Sequence, residues 1–377
     1  MLKVDYLLIG PAPPYRGGIA DTQHELASSL IKLGKSVKLF TFKKLYPKFL
    51  FPGDSQFSSD HKPNALKIEI NLHSYNPFNW VKIGNEINKI NPKVIIFRYY
   101  TPLLAPCYVN IIKKLNEKIK KIALVDNWTP HEPKFYDKIL NKVFSKNIDS
   151  YLTLSENVAL EIKKDTNSNV FSGFHPISDN LPKKTSKSQA RKKLGWNANV
   201  PIVLFYGLIR SYKGLDNLLR AFAKAPTSIS NVKLAIVGEF YEPITKYKSI
   251  IKKLKLEEKI YLIPKFADIN STQLYFSSAD LISLTYKSAS QSGVISLAYH
   301  FETPILVTNL LGLKTPIIND KTGLVCSQDP QDISIKLMEM LNLDRNNFFI
   351  KNIKNSIKKY SWKQYSKHII NFIDKNN

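Results

Sequence analysis

FYGLIRSYKGLDNLLRAFAKA, residues 205–225, is the stretch from which the chain is best read. An apolar, β-rich run from Ile202 to Tyr206 stops at Gly207, and a short loop carries Arg210 and Lys213. Gly214 then opens an amphipathic helix whose Leu215, Leu218, Leu219 and Phe222 share one side. A strand, a glycine, two cations and a helix N-terminus together attract an anion. The first-turn N–H groups and the helix dipole supply partial positive charge there, and the side chains add full charges. An ordinary βα turn with solvated basic residues would look the same in isolation, so the rest of the chain must decide.

At 377 residues the chain can hold two domains with separate cores. Its apolar runs are short, well below the roughly 20 residues that span a bilayer. The opening MLKVDYLLIGPAPP contains Asp5 and breaks at Gly10-Pro11, so it reads as a first strand rather than a signal peptide. Cys107 and Cys326 match no metal or redox spacing and suggest a reducing compartment. No Asp-x-Asp occurs, so no paired-carboxylate metal site is expected.

The formal net charge is +25, which favours anionic partners. Nine lysines fall in two predicted basic helices, 110–121 and 134–146. In the first, Ile111, Ile112, Leu115 and Ile119 are read as the apolar stripe; in the second, Tyr136, Ile139, Leu140 and Val143. Such helices either lie on an anionic membrane or present a solvated face while the stripe packs inward. A third basic helix is read around Ile250, Ile251 and Leu254. Nucleic acid is not expected, since no helix-turn-helix, zinc-finger spacing or RNP-like motif is present.

Strand-like runs at Tyr6–Ile9, Val37–Phe42, Val94–Tyr99, Ile122–Val125 and Tyr151–Leu154 alternate with helical patterns. Lys43–Lys62 reads as a long loop, and the polar stretch after Ile177 as a linker into a short helix. Alternation resumes at Ile202–Tyr206, Leu234–Val237, Ile260–Ile263, Leu281–Leu284 and Ile305–Val307. This pattern predicts two α/β units in tandem, each with a mostly parallel sheet.

Open sheets of this kind bind ligands at their strands' carboxyl ends, and four such ends are suggestive. Arg16-Gly17-Gly18 lets a ligand approach the backbone before a helix from about Asp21. Asp126, Trp128 and His131 offer a carboxylate, an aromatic surface for a sugar ring and an acid/base imidazole. The Arg210/Lys213 loop is the third. Ser290-Gln291-Ser292-Gly293, before Val294, is the fourth, with hydroxyls and an amide at a predicted helix start. Each of these segments also has a plain structural explanation as a turn, a loop histidine or a cap.

Taken in order along nearly the whole chain, these segments resemble the GT-B glycosyltransferases, and among them the retaining family-4 group. The resemblance rests on the GGI loop, GLIRSYKGLDNLL, VKLAIVGE, SADLISLTYKSASQSGVISLAYHFETPILVTNLLG, DKTGLVCSQDP and the final SWKQYSKHIINFI. It implies two Rossmann-like domains facing across a cleft: 1–178 for the acceptor and 179–360 for a nucleotide-sugar donor. Residues 361–377 would form a helix crossing back to the first domain. It further implies that Arg210 and Lys213 neutralise the donor diphosphate and that Gly207, Ser290, Gln291, Ser292, Gly293 and Val294 line the donor site. Ile263, Pro264 and Lys265 would meet the nucleobase. Gly17 and Gly18 would reach the diphosphate, with Arg16 and Trp128 on the acceptor and Asp126 and His131 near the chemistry.

Several positions depart from the family pattern. Its Glu-x7-Glu pair falls on Ala289 and Leu297, Glu302 stands where glycine is usual, and Thr315 replaces a common acidic residue. The arginine of the usual Gly-Arg-Leu opening is displaced to Arg210, and a usual histidine is Asp126. The implied activity is metal-independent transfer of a sugar to a glycan or lipid-linked acceptor, on the cytoplasmic face of the membrane. A non-catalytic GT-B protein binding a glycan or protein partner is the alternative.

Overall fold

The computed structural model describes residues 4–15, 17–45, 66–130, 133–224 and 231–376. It separates into two compact units, Met1–Ser178 with Ser361–Asn377, and Asp179–Tyr360. The proposed 43–62 loop lies largely outside the described residues; Lys43 and Lys44 end a strand instead.

The first unit is a seven-stranded, wholly parallel sheet. Its strands are β1 (Tyr6–Ile9), β2 (Val37–Lys44), β3 (Ile68–His73), β4 (Val94–Tyr99), β5 (Lys120–Val125), β6 (Ser150–Thr153) and β7 (Asn169–Phe171), in the order β3-β2-β1-β4-β5-β6-β7. β1 pairs on both sides, Tyr6 opposite Val37 and Val94. Helices cover both faces, so β1 and β4 are buried throughout and read as unbroken apolar runs rather than alternating ones. β3 and β7 are not among the strands read from sequence: IEINLH has the alternation of a half-buried strand but no unbroken apolar run, and NVF is only three residues long.

The closing helix Trp362–Lys375 belongs to this unit and packs on helix Gly18–Lys32. Trp362 Nε1 donates to the buried Glu25 at 2.8 Å, Ser366 Oγ to Ser29 Oγ at 2.8 Å, and Tyr365 OH to the Thr153 carbonyl at 3.1 Å. Each buried polar tip of this helix therefore has a partner, as burial demands.

The second unit is a six-stranded parallel sheet of β8 (Ile202–Tyr206), β9 (Lys233–Val237), β10 (Ile260–Ile263), β11 (Leu281–Leu284), β12 (Ile305–Thr308) and β13 (Gly323–Cys326). Its order is β10-β9-β8-β11-β12-β13. Lys120 and Lys121, read above as helical, open β5; the first basic helix is only Ala105–Ile112. The second is Asp137–Ser145, and it turns Asp137, Asn141 and Phe144 inward. Ile139 and Val143 are exposed, against the second of the two readings above, in which the stripe packs inward.

Candidate functional site

Each sheet reverses its winding once, between β1 and β4 and between β8 and β11. At such a switch point the connections leave in opposite directions and open a crevice at the carboxyl edge, where ligands of doubly wound sheets bind. The Gly17-Gly18 turn follows β1, the Arg210/Lys213 loop follows β8, and Ser290–Gly293 follows β11. Three of the four segments singled out from sequence therefore flank a switch point.

In the second unit the loop after β8 is held by backbone pairing. Ile209 N donates to Glu239 O at 2.8 Å and Tyr241 N to Ile209 O at 3.0 Å. Gly207 has φ 104° and Gly214 φ 67°, left-handed values suited to glycine. A Cβ on Gly214 would also lie 1.9 Å from the Thr285 carbonyl, so no other residue fits there. Gly214 begins helix Leu215–Ala223 with no side chain capping it, so its first-turn N–H groups are left for water or a ligand.

Lys213 is 8% exposed and lies between the two loops. Its ammonium is 3.0 Å from where a Gly207 Cβ would stand, and that same point is 4.0 Å from Val294. The Tyr286 ring lies 5.3 Å below it. Burial lowers the Lys213 pKa from its ordinary 10.5, the neighbouring Arg210 lowers it further, and Tyr212 opposes both. Arg210 is exposed, with its guanidinium 4.7 Å over the Tyr241 ring. Among the described residues neither cation forms an ion pair with a carboxylate. A buried ammonium normally needs such a partner, so the loop is set up for an anion from outside.

On the other loop, Ser292 caps helix Gly293–His300 by accepting from Val294 N at 3.4 Å, and it lies 3.3 Å from the Tyr286 hydroxyl. Burial pushes the Tyr286 phenol up to about 12, so it remains a donor at neutral pH. Ser290 is buried and Gln291 half-buried beside it. Ile263, Pro264 and Lys265 end β10, two strands away from the switch point, or about 10 Å at ordinary strand spacing.

In the first unit Gly17 has φ 108° and caps helix Gly18–Lys32, again with no capping side chain. A Cβ at Gly17 or Gly18 would meet nothing within 4 Å. Gly18 has no left-handed φ. Gly18→Ala is therefore expected to keep or slightly raise the melting temperature, Ala being favoured by up to about 1 kcal/mol in a helix. If the turn meets a substrate, the same change raises that substrate's KM; unchanged kinetics would remove the turn from the site.

Beneath this turn lies a buried polar cluster. Arg98 on β4 grips Asp126 with two hydrogen bonds, Nε to Oδ2 at 2.6 Å and Nη2 to Oδ1 at 2.5 Å. Both residues are buried. Arg98 Nη2 also donates to Thr22 Oγ1 at 2.8 Å, and Thr22 donates to the Gly18 carbonyl at 2.6 Å. Gly10 makes room, since a Cβ there would lie 2.4 Å from that of Arg98.

Two expectations are corrected here. Asp126 is not a free catalytic carboxylate: it is the partner of Arg98, in a brace that ends on the glycine turn. Trp128 offers no face to a sugar, being 1% exposed between Tyr99 and Tyr151, with its Nε1 donating to Asp165 at 2.7 Å. His131 and Arg16 lie outside the described residues. The imidazole near the cluster is His175, missed from sequence because nothing in GFHP marks it. Its electrostatic neighbours are Asp126 and Arg98, and burial lowers its pKa from 6.5, so it is neutral at pH 7.

Residues 186–359 match the family described as Glycosyl transferases group 1. Over its full length the chain resembles sucrose-phosphate synthase from Thermosynechococcus elongatus, with TM-score 0.78, 16% identity and 98% of both chains covered. The family match covers most of the second unit, and the whole chain has the GT-B fold. The structure of Anabaena HepE in complex with UDP-glucose is similarly close, with TM-score 0.77, 13% identity and coverage of 98% and 99%. Among curated sequences, D-inositol 3-phosphate glycosyltransferase from Xylanimonas cellulosilytica is 23% identical over 152 residues, 39% of this chain. The match spans 35% of that relative's length, about a third.

Proposed function

We propose that this GT-B chain transfers a sugar from a nucleoside-diphosphate sugar to a glycan or lipid-linked acceptor, with retention, in the assembly of cell-surface polysaccharide or glycolipid. The observation that carries this reading is Lys213: a buried ammonium with no carboxylate ion pair among the described residues, at a switch point, beside an uncapped helix start. Arg210 joins it at the loop's open side. As the glycosidic bond breaks, negative charge accumulates on the leaving diphosphate, and preorganised cations and N–H groups stabilise it. Ser292, Gln291 and Ser290 are the polar groups available to the sugar or phosphates, and Ile263 to Lys265 take the base. No metal is assigned to this chemistry, because the chain has no Asp-x-Asp. On this reading the acceptor binds the first unit and transfer takes place at the inner membrane face. Among the described residues no helix is long and apolar enough to cross a membrane.

The test is thermal denaturation with UDP, ADP and GDP, followed by nucleotide release from the matching sugar donors with and without EDTA. One nucleotide at 100 times its dissociation constant stabilises by about 2.7 kcal/mol. Nucleotide release should be unaffected by EDTA, and the product anomer should keep the donor's configuration. If no nucleotide stabilises the chain, the reading fails. One observation favours a second reading, a non-catalytic binding protein: Ala289 and Leu297 replace the family's two carboxylates. Tight nucleotide binding with no release from any donor would select it.

A further inference from the structure

Helices Pro77–Ile90, Ala105–Ile112 and Asp137–Ser145 pack side by side on one face of the first unit. Each follows a strand of a parallel sheet (β3, β4 and β5), so all three begin at the carboxyl edge. Their opening turns form one rim, and that rim is apolar and exposed. Phe78 is 90% exposed in the first turn of one helix, and Phe135 is 89% exposed just before another. Leu103, in the turn Pro102–Leu104 between them, is 52% exposed. Large side chains left this open in water need a reason when they cluster.

Helix Asp137–Ser145 supplies it. Phe135, Ile139 and Val143 recur every fourth residue and form one exposed stripe. Lys134, Lys138, Lys142 and Lys146 recur every fourth residue and form a second stripe alongside. Asp137, Asn141 and Phe144 occupy the opposite, buried side. Across 75–82, 100–113 and 133–146 the one acidic residue is Asp137, which is buried. A rim with paired apolar and cationic stripes and no exposed acid matches the boundary of an anionic bilayer, with acyl chains for the first stripe and headgroups for the second. Nucleic acid would use the lysines but leave the phenylalanines in water.

We infer that this rim docks on an anionic membrane by inserting Phe78, Leu103, Phe135, Ile139 and Val143, with the lysines of helix Asp137–Ser145 on the headgroups. The inference deepens the reading of a membrane-borne acceptor, because the glycine turn of helix Gly18–Lys32 lies at the same edge of the same sheet. Its test uses vesicles without any sugar, so failure of the enzymatic reading leaves the result unaffected.

The experiment is sedimentation of the full chain with phosphatidylcholine vesicles, with or without 30% phosphatidylglycerol, at low and high salt. Wild type should bind the anionic vesicles and retain part of that binding at high salt, because insertion is not screened. Phe135→Ser/Ile139→Ser/Val143→Ser should fold normally, these side chains being exposed, and should weaken binding by about tenfold or more, most clearly at high salt. Lys134→Gln/Lys138→Gln should weaken it at low salt, by about fivefold per lysine that faces lipid. Wild-type binding by the serine variant overturns the insertion. Equal binding to neutral vesicles overturns the role of the lysines. A concentration-dependent dimer that the serine variant abolishes, without vesicle binding, assigns the rim to a second copy of the chain and overturns the proposal.

Discussion

Lys213→Met is expected to lower kcat/KM for the nucleotide sugar by about 10²–10³-fold while melting no lower than wild type. The two effects have one cause. The ammonium is buried without an ion-pair partner among the described residues, so removing it costs the empty protein little and the developing diphosphate charge a great deal. The pH dependence gives an independent sign. Burial lowers the folded-state pKa of Lys213 below its ordinary 10.5. Between those two values the unfolded chain holds a proton that the fold does not, so stability attributable to this residue rises with pH across that window. Lys213→Met should abolish that rise. A bound diphosphate favours the charged form and should draw a proton onto the wild type at alkaline pH, seen by calorimetry in buffers of different ionisation heat. Arg210→Ala should also slow turnover but leave this proton uptake in place, since the uptake belongs to the buried Lys213. Wild-type turnover in the Arg210→Ala/Lys213→Met double variant would remove the loop from the mechanism.

The parts of this molecule that were legible in sequence are those fixed by burial on both faces of a sheet. Runs such as YLLI in β1 and KLAIV in β9 can only be central strands, and the cation-bearing loop between a strand and an amphipathic helix marks a carboxyl edge. Edge elements were harder to read. β3 has a polar residue at every second position and β7 has three residues, so neither carries the unbroken apolar run of the fully covered centre. Helix facing was misread where the amphipathic pattern had two solutions. In 134–146 the stripe 136, 139, 140, 143 and the stripe 137, 141, 144 are both helical, and hydrophobicity alone favours the wrong one. The structure chooses the second because Asn141 and Asp137 have buried partners: Tyr99 OH donates to Asn141 Oδ1 at 2.7 Å, Asn141 Nδ2 to the Trp128 carbonyl at 2.8 Å, and Lys134 N to Asp137 at 2.7 Å. Glu302 is another such position. It stands in the left-handed region, φ 51°, where the resembling family uses glycine, and its carboxylate lies 3.5 Å from Lys354 and 3.8 Å from Lys184. Pairing of this kind depends on tertiary contacts and leaves no local signature.

Asp126 shows the same limit with a larger consequence. Its position after a strand, followed by Trp128 and a histidine, fitted a catalytic carboxylate; its environment makes it one half of a buried ion pair. Asp126→Asn or Arg98→Met is therefore expected to cost about 3–5 kcal/mol of stability, because each strands the other partner in the interior. Chemical denaturation would measure this as a lowered midpoint at unchanged slope. Lost activity in either single variant would be ambiguous, since a destabilised chain and a missing catalytic group both read as low turnover. The double variant Arg98→Met/Asp126→Leu separates them. Replacing a buried pair with apolar groups of similar size is often neutral or stabilising, so its stability should return most of the way to wild type. It still lacks the link through Thr22 to the Gly18 carbonyl. A brace that only positions the glycine turn then predicts substantial turnover with a raised KM for whichever substrate the turn touches. A catalytic carboxylate predicts a stable protein whose kcat falls by orders of magnitude, and that outcome would restore Asp126 to the chemistry. Thr22→Val severs the link at its other end without touching either charge, and should reproduce the raised KM while leaving the denaturation midpoint nearly unmoved.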